Sequence, residues 1–174
     1  MRKLSGIRKV ILIEEAWKAI AKEGMAEYIK YLFKTVRKFF GEAIVVTQEV
    51  EDIISSPIVK QAIINNSDCK ILLDQSKYQN KFDQIQELLG LTEKEKSLVL
   101  SVNKANDPLL RYKEVFISLG GALSKVYRTE VSLEEYLTYT TEQTEKIKVQ
   151  QYAQQLGSMQ AGVAALAQKM RRNG

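Results

Sequence analysis

Three short apolar runs constrain this chain more than any other feature: Lys9-Val10-Ile11-Leu12-Ile13, Ala43-Ile44-Val45-Val46-Thr47 and Lys70-Ile71-Leu72-Leu73. None alternates with polar residues. A strand with one wet face does alternate, so an unbroken apolar run predicts a strand covered on both faces, as in a parallel sheet between helical layers. Helical patterns separate the runs. Trp17, Ile20, Met25, Tyr28, Leu32, Val36 and Phe39 recur every three to five residues, giving one apolar helix face through Phe40. Gly24 weakens that helix by about 1 kcal/mol relative to Ala, so a bend is expected there. Gly41 is read as its C-cap.

Pro57 opens a short helix through Ile63, with Ser56 as its N-cap, and Asn65-Asn66-Ser67-Asp68 is a turn. Phe82 to Leu89 is a helix stopped by Gly90, and Thr92-Glu93-Lys94-Glu95 is a capping box opening a helix through Val102. Asn106-Asp107-Pro108 is a turn. The period then changes: Tyr112–Leu119 and Ala122–Val131 read as two strands joined through Gly120-Gly121. Val126, Arg128 and Glu130 interleave apolar and polar positions, so this hairpin is expected to be less buried than the first three strands. Ser132 caps a helix through Tyr136. In the C-terminal stretch, Val149, Tyr152, Leu156, Met159, Val163, Leu166 and Met170 alternate steps of three and four. Gly157-Ser158 and Gly162 interrupt that seam, which favours two short helices broken near Gly157. The element order predicts an α/β fold: a mainly parallel sheet, a β-hairpin and a helical C-terminal tail, with residues 1–140 as the domain and 141–174 as the tail.

Composition removes several chemistries. The 174 residues contain no His and one Cys, Cys69. Ser-His-Asp triads, Cys-His dyads and His-ligated metals are therefore excluded, as are an internal disulfide and a Cys-rich zinc site. Carboxylates, amides, hydroxyls, Lys, Arg or a bound cation must carry any reaction. The net charge of +5 permits attraction to nucleic acid or anionic lipid without requiring it. No apolar run approaches the ~18 residues of a membrane span. The apolar stretch Ile11-Leu12-Ile13 stops at two acids, so no signal peptide is read and a cytoplasmic protein is expected.

The strongest site signal is Ile11-Leu12-Ile13-Glu14-Glu15-Ala16-Trp17. A buried parallel strand delivers two carboxylates at its C-terminal end, the edge where open α/β sheets bind ligands. In a Walker B arrangement the first carboxylate holds the Mg²⁺ shell and the second acts on the attacking water. Two acids at a helix start are also favourable with the helix dipole and need no catalytic role. The second strand ends at Gln48, which either senses a γ-phosphate or lytic water or merely begins a loop.

The stretch Val10–Trp17, with Ile44-Val45-Val46-Thr47-Gln48 some thirty residues on, resembles the conjugation ATPases of type IV secretion systems. The stretch Phe116–Val131 is similar to the C-terminal part of TraG proteins from conjugative elements of Bacteroides-type bacteria. The resemblance covers roughly residues 8–146. It implies a RecA-like P-loop core and hydrolysis of ATP with Mg²⁺, coupled to the transfer machinery. It implies Glu14 as the Walker B residue holding Mg²⁺ through water, Glu15 as the catalytic base or water-orienting group, and Gln48 as the sensor. Motor ATPases of this kind work in rings, so Arg111 and Arg128 are arginine-finger candidates; Arg128 is equally suited to a cross-strand ion pair. The implied partners are copies of the same chain and other type IV secretion components, with peripheral attachment to the inner membrane.

One part of an ATP site is missing from the sequence. Gly-x-x-x-x-Gly-Lys-Ser/Thr occurs nowhere, and Gly120-Gly121-Ala122-Leu123-Ser124-Lys125 lacks its spacing. The chain therefore reads as the part of such a domain that runs from Walker B onward. It is expected not to hydrolyse ATP alone, and to oligomerise, rearrange its sheet or be poorly soluble because apolar faces lack their cover. The alternatives are a non-catalytic interaction module of the secretion machinery and a basic nucleic-acid-binding domain. For the last, Lys30, Lys34, Arg37 and Lys38 form a stripe on the first helix, read as lying opposite Tyr28, Leu32 and Val36; a solvated face, the norm for an amphipathic helix, is the favoured account of it, with contact to DNA phosphates or anionic lipid as the alternative.

Overall fold

A computed structural model describes residues 6–20, 22–48, 57–104 and 112–173. In chain order the elements are β1 (Lys9–Ile13), α1 (Ala16–Ile20), α2 (Glu23–Thr35) running into a 3-10 turn (Val36–Phe39), β2 (Gly41–Val45), α3 (Pro57–Asn66), β3 (Cys69–Leu72), a 3-10 turn (Ser76–Lys81), α4 (Phe82–Leu89), α5 (Glu93–Val99), β4 (Tyr112–Leu119), β5 (Leu123–Glu130), α6 (Leu133–Tyr139), α7 (Gln143–Leu156) and α8 (Met159–Asn173). The fold is α/β. It divides into two compact units, Met1–Ala105 with Glu114–Tyr127, and Asn106–Lys113 with Arg128–Gly174. The expected N-cap Ser56 and the turn at 106–108 lie outside the described residues.

The first unit holds a parallel pair, β1 with β2, in register from Lys9↔Gly41 to Ile13↔Val45. Ile13, Ala43 and Val45 pack on a core of Ala16, Ile20, Ala26, Ile29, Phe33 and Ile63, which come from α1, α2 and α3. Burial on both faces is not what these strands show. Val10 and Leu12 are 59% and 60% exposed, and Ile44 and Val46 are 43% and 45% exposed. The helices cover one face of the pair, and strand alternation turns every second apolar residue toward the other.

The third apolar run, expected to join a parallel sheet, instead forms β3 of an antiparallel sheet ordered β3-β4-β5. Cys69 pairs with Leu119 and Leu72 with Phe116, and Gly120 N–H donates to Asp68 C=O at 2.6 Å to close the end of the ladder. Nor is this run covered on both faces: Ile71 and Leu73 are 60% and 65% exposed, and only Leu72 turns inward. The direction follows from β4, whose Phe116 enters a second core with Phe82, Ile85, Leu91, Val99 and Val102, where Leu72 also packs. The hairpin is accordingly better buried than expected on one strand. Val115, Phe116 and Ser118 of β4 are buried, whereas β5 is largely exposed. Gly120 (φ 54°) and Gly121 (φ 72°) make its turn, a conformation glycine adopts without strain.

Local signals map closely onto helix ends. Thr92 accepts from Glu95 N–H while Glu95 accepts from Thr92 N–H, completing the capping box of α5; Ser132 and Glu135 do the same for α6. Gly90 caps α4 at φ 62°. The cap after α2 differs from expectation: Phe40 takes the left-handed conformation (φ 54°), and Gly41 begins β2. A Cβ on Gly41 would stand 2.5 Å from Val36 Cγ2, so glycine serves close approach there and the cap falls one residue earlier.

In the second unit α6, α7 and α8 enclose Leu137, Val149, Leu166 and Ala167, with Leu133, Tyr152, Val163 and Met170 around them. The helices break where expected. Gly157 caps α7 at φ 82°, and Ser158 Oγ accepts from Ala161 N–H at the start of α8. Leu156 and Met159 flank the break and stay exposed instead of joining the seam. Gly162 lets α8 approach α7: a Cβ there would lie 2.7 Å from both Val149 O and Ala153 N. No helix among the described residues is long and apolar enough to cross a membrane.

Candidate functional site

The parallel pairing of β1 and β2 brings their C-terminal ends to one edge. Two backbone bonds hold that edge beyond the ladder: Val46 N–H donates to Ile13 C=O at 2.9 Å, and Ala16 N–H to Val46 C=O at 3.3 Å. Glu14 and Glu15 emerge from β1 between these bonds, and Thr47 and Gln48 leave β2 beside them. The structure thus gathers Glu14, Glu15 and Gln48 at the mouth of one strand pair, all exposed. By strand alternation Glu14 continues the face of Val10 and Leu12.

Glu15 adopts φ 48°, in the left-handed region. A residue with a Cβ pays about 1–2 kcal/mol there. The strained residue is what turns the chain from β1 straight into α1, whose first residue, Ala16, is fully buried. Such an outlier at a strand end is a recognised mark of functional sites.

One partner was not foreseen. Lys18, three residues beyond Glu15 on α1, forms an ion pair with the Glu15 carboxylate. The i,i+3 spacing made this readable from sequence. Both side chains are about half exposed, so the pair contributes roughly 0–1 kcal/mol and is readily rearranged. Glu14 has no cationic partner among the described residues, which leaves its carboxylate open to a hydrated divalent cation. No group of three or more acids or Cys among the described residues is placed to ligate a metal directly.

Arg111 lies outside the described residues. Arg128 belongs to the other compact unit, where its guanidinium stacks 4.4 Å from the Tyr112 ring centroid across the β4–β5 hairpin. This is a contact between the two strands of the hairpin.

Among the described residues Glu95 is the one buried carboxylate. Burial opposes its ionisation, but hydrogen bonds from the Ser124 hydroxyl, Thr92 N–H, the Ser118 hydroxyl and the Thr92 hydroxyl outweigh that and hold its pKa down to about 2. The Ser118 bond is 2.9 Å and the Thr92 N–H bond 2.8 Å. Every strong acceptor direction is satisfied by neighbouring elements, so Glu95 fastens α5 to β4 and β5 and is a structural clamp. Sequence reading found its capping box and missed its second role, because Ser118 and Ser124 are distant in the chain.

Known proteins supply a family for this arrangement. The TraG P-loop domain family matches residues 1–170. No curated protein sequence matches. Among solved structures, VirB4 of Thermoanaerobacter pseudethanolicus is matched with 23% identity and a TM-score of 0.48, over 80% of this chain and 33% of that one. The present chain thus spans about a third of that structure's length. The match over nearly all of the sequence shows that the chain belongs to the TraG P-loop domain family.

Proposed function

We propose that this chain supplies the carboxylate edge of an ATP site in a conjugative-transfer ATPase of the type IV secretion class. Glu14 holds Mg²⁺ through water, Glu15 orients or deprotonates the water that attacks the γ-phosphate, and Gln48 contacts the γ-phosphate or that water. The observation that carries this reading is the meeting of Glu14, Glu15 and Gln48 at the C-terminal edge of a parallel pair, with a left-handed Glu15 separating the two acids. Bound Mg²⁺ would neutralise phosphate charge; the protein's own part is to fix two acids and an amide on a rigid edge.

The phosphate cradle comes from outside this sequence, since the chain holds no Gly-x-x-x-x-Gly-Lys-Ser/Thr. Added elements from that source would cover Val10, Leu12, Ile44 and Val46, and copies of the protein would assemble with one another and with other secretion components. In this reading residues 1–140 belong to the ATPase domain and 141–174 form an appended helical tail. An arginine from a neighbouring copy, Arg111 or Arg128, would complete the site.

A second reading, a non-catalytic interaction module, is favoured by the Lys18–Glu15 ion pair, which occupies the proposed base. Mg-dependent ATP hydrolysis distinguishes them. The isolated chain is expected to show none, and mixing it with the P-loop-bearing segment is expected to restore turnover. Turnover by the isolated chain would contradict the divided site, and a reconstituted protein without turnover would favour the module.

A further inference from the structure

The outer side of α2 carries an arrangement that the sequence pattern concealed. Tyr28, expected on the apolar face with Leu32, is 48% exposed, and Tyr31 is 51% exposed. With Met25 and Lys34 they stand at three-residue steps along one exposed ridge. Neighbours at this spacing lie about 5–6 Å apart on a helix surface. The ridge leads into Arg37 and Lys38 on the 3-10 turn, both exposed, with Lys30 half-buried beside it. The described acids nearby are Glu27, paired with Lys30 at 3.3 Å, and Asp68, paired with Arg37 at 3.3 Å. Lys34 and Lys38 have no acidic partner among the described residues. The face is therefore positively charged with two tyrosine rings set among the cations.

We infer that this α2 ridge is a docking surface for single-stranded nucleic acid. Tyr28 and Tyr31 offer stacking platforms for consecutive bases, and Lys34, Arg37 and Lys38 follow the phosphates. Aromatic rings combined with a cationic track bind single strands with little regard to sequence, because every base has a stacking face. A duplex keeps its bases stacked inside and can use only the lysines and Arg37. A lipid surface fits less well. Insertion into a membrane interface requires the helix's own Leu- and Phe-rich side, and here Ile29, Leu32, Phe33 and Val36 are buried in the protein. The surface uses neither Glu14 nor Glu15, so the inference stands or falls independently of the nucleotide site.

The test is fluorescence anisotropy of a labelled oligothymidylate with the full 174-residue chain, without nucleotide, across a salt series. Duplex DNA, an abasic strand of equal length, and vesicles of phosphatidylserine and phosphatidylcholine are the comparison arms. Single strands are expected to bind more tightly than duplex or abasic strands. The Tyr28→Ala/Tyr31→Ala variant is expected to weaken oligothymidylate binding about tenfold or more, with an unchanged salt slope. The Lys34→Gln/Lys38→Gln variant is expected to lower the slope of log affinity against log salt by about 1.4, from ~0.7 per phosphate contact on a single strand. All four positions are solvent-facing, and unchanged circular dichroism will show that the variants fold. Absence of binding at low salt, equal affinity for the abasic strand, indifference to both double variants, or preference for the vesicles would each overturn the inference.

Discussion

The parallel pair β1–β2 and the antiparallel sheet β3–β4–β5 start from similar apolar runs and end in different states. At the centre of the second sheet, Phe116 is fully buried, covered by α4 and α5, and the neighbouring Ser118 is bound by the Glu95 clamp. In the first sheet Leu12, an equally apolar strand residue, is 60% exposed. Apolar strand residues cost little when covered and leave a sticky surface when not. The antiparallel sheet finds its cover within the chain on the face of Leu72 and Phe116, while Ile71 of β3 is 60% exposed on the other. The parallel pair is likewise covered on one face, with no side chain as deeply buried as Phe116, and its open face adjoins the edge where Glu14 and Gln48 emerge.

Perturbing each sheet should sharpen that contrast, beginning with the largest effect. Phe116→Ala should destabilise the chain by about 3–5 kcal/mol in urea unfolding, since it empties a fully packed site. Glu95→Ala should cost about 2 kcal/mol, because four donors from α5, β4 and β5 lose their acceptor. This cost depends on pH. The Glu95 pKa lies at about 2 in the folded chain against an ordinary 4.5, so its stabilisation is complete above pH 4.5 and fades as pH falls toward 2. The stability gap between the parent and Glu95→Ala should therefore shrink across that window; a gap constant from pH 6 to pH 2.5 would refute the clamp. Gly41→Ala should cost about 1–3 kcal/mol through overpacking against Val36 on the covered side of the parallel pair. Val10→Thr with Leu12→Thr, on its open side, should change stability by less than about 0.5 kcal/mol per site. The same pair should reduce self-association in sedimentation velocity. A loss as large as that of Phe116→Ala would mean that the face is already covered.

What the sequence disclosed follows the range of the interaction. Capping boxes at Thr92 and Ser132, and glycine caps at Gly90 and Gly157, depend on neighbours within four residues and could be read directly. Pairing of Leu72 with Phe116 depends on residues far apart, and the apolar run at 70–73 carried no mark of direction. Gly41 looked like a helix cap because glycine favours positive φ; its real constraint is the side chain of Val36, and Phe40 accepts the strained conformation instead. At the candidate site, the strand ends that bring Glu14, Glu15 and Gln48 together were legible, since both runs stop at polar residues. The left-handed Glu15 was not, because nothing in the type of a glutamate announces that backbone. Tyr28 was misplaced for a related reason: tyrosine satisfies an apolar pattern and an exposed helix face equally well.

The division of the ATP site is tested most directly by measuring Mg-dependent ATP hydrolysis in a longer protein that contains both a P-loop and these residues, with Glu15→Gln as the variant. Turnover is expected to fall at least a hundredfold while nucleotide binding persists, with Lys18→Gln retaining activity within a few fold. Turnover unchanged in Glu15→Gln would contradict the assignment of this strand edge to catalysis.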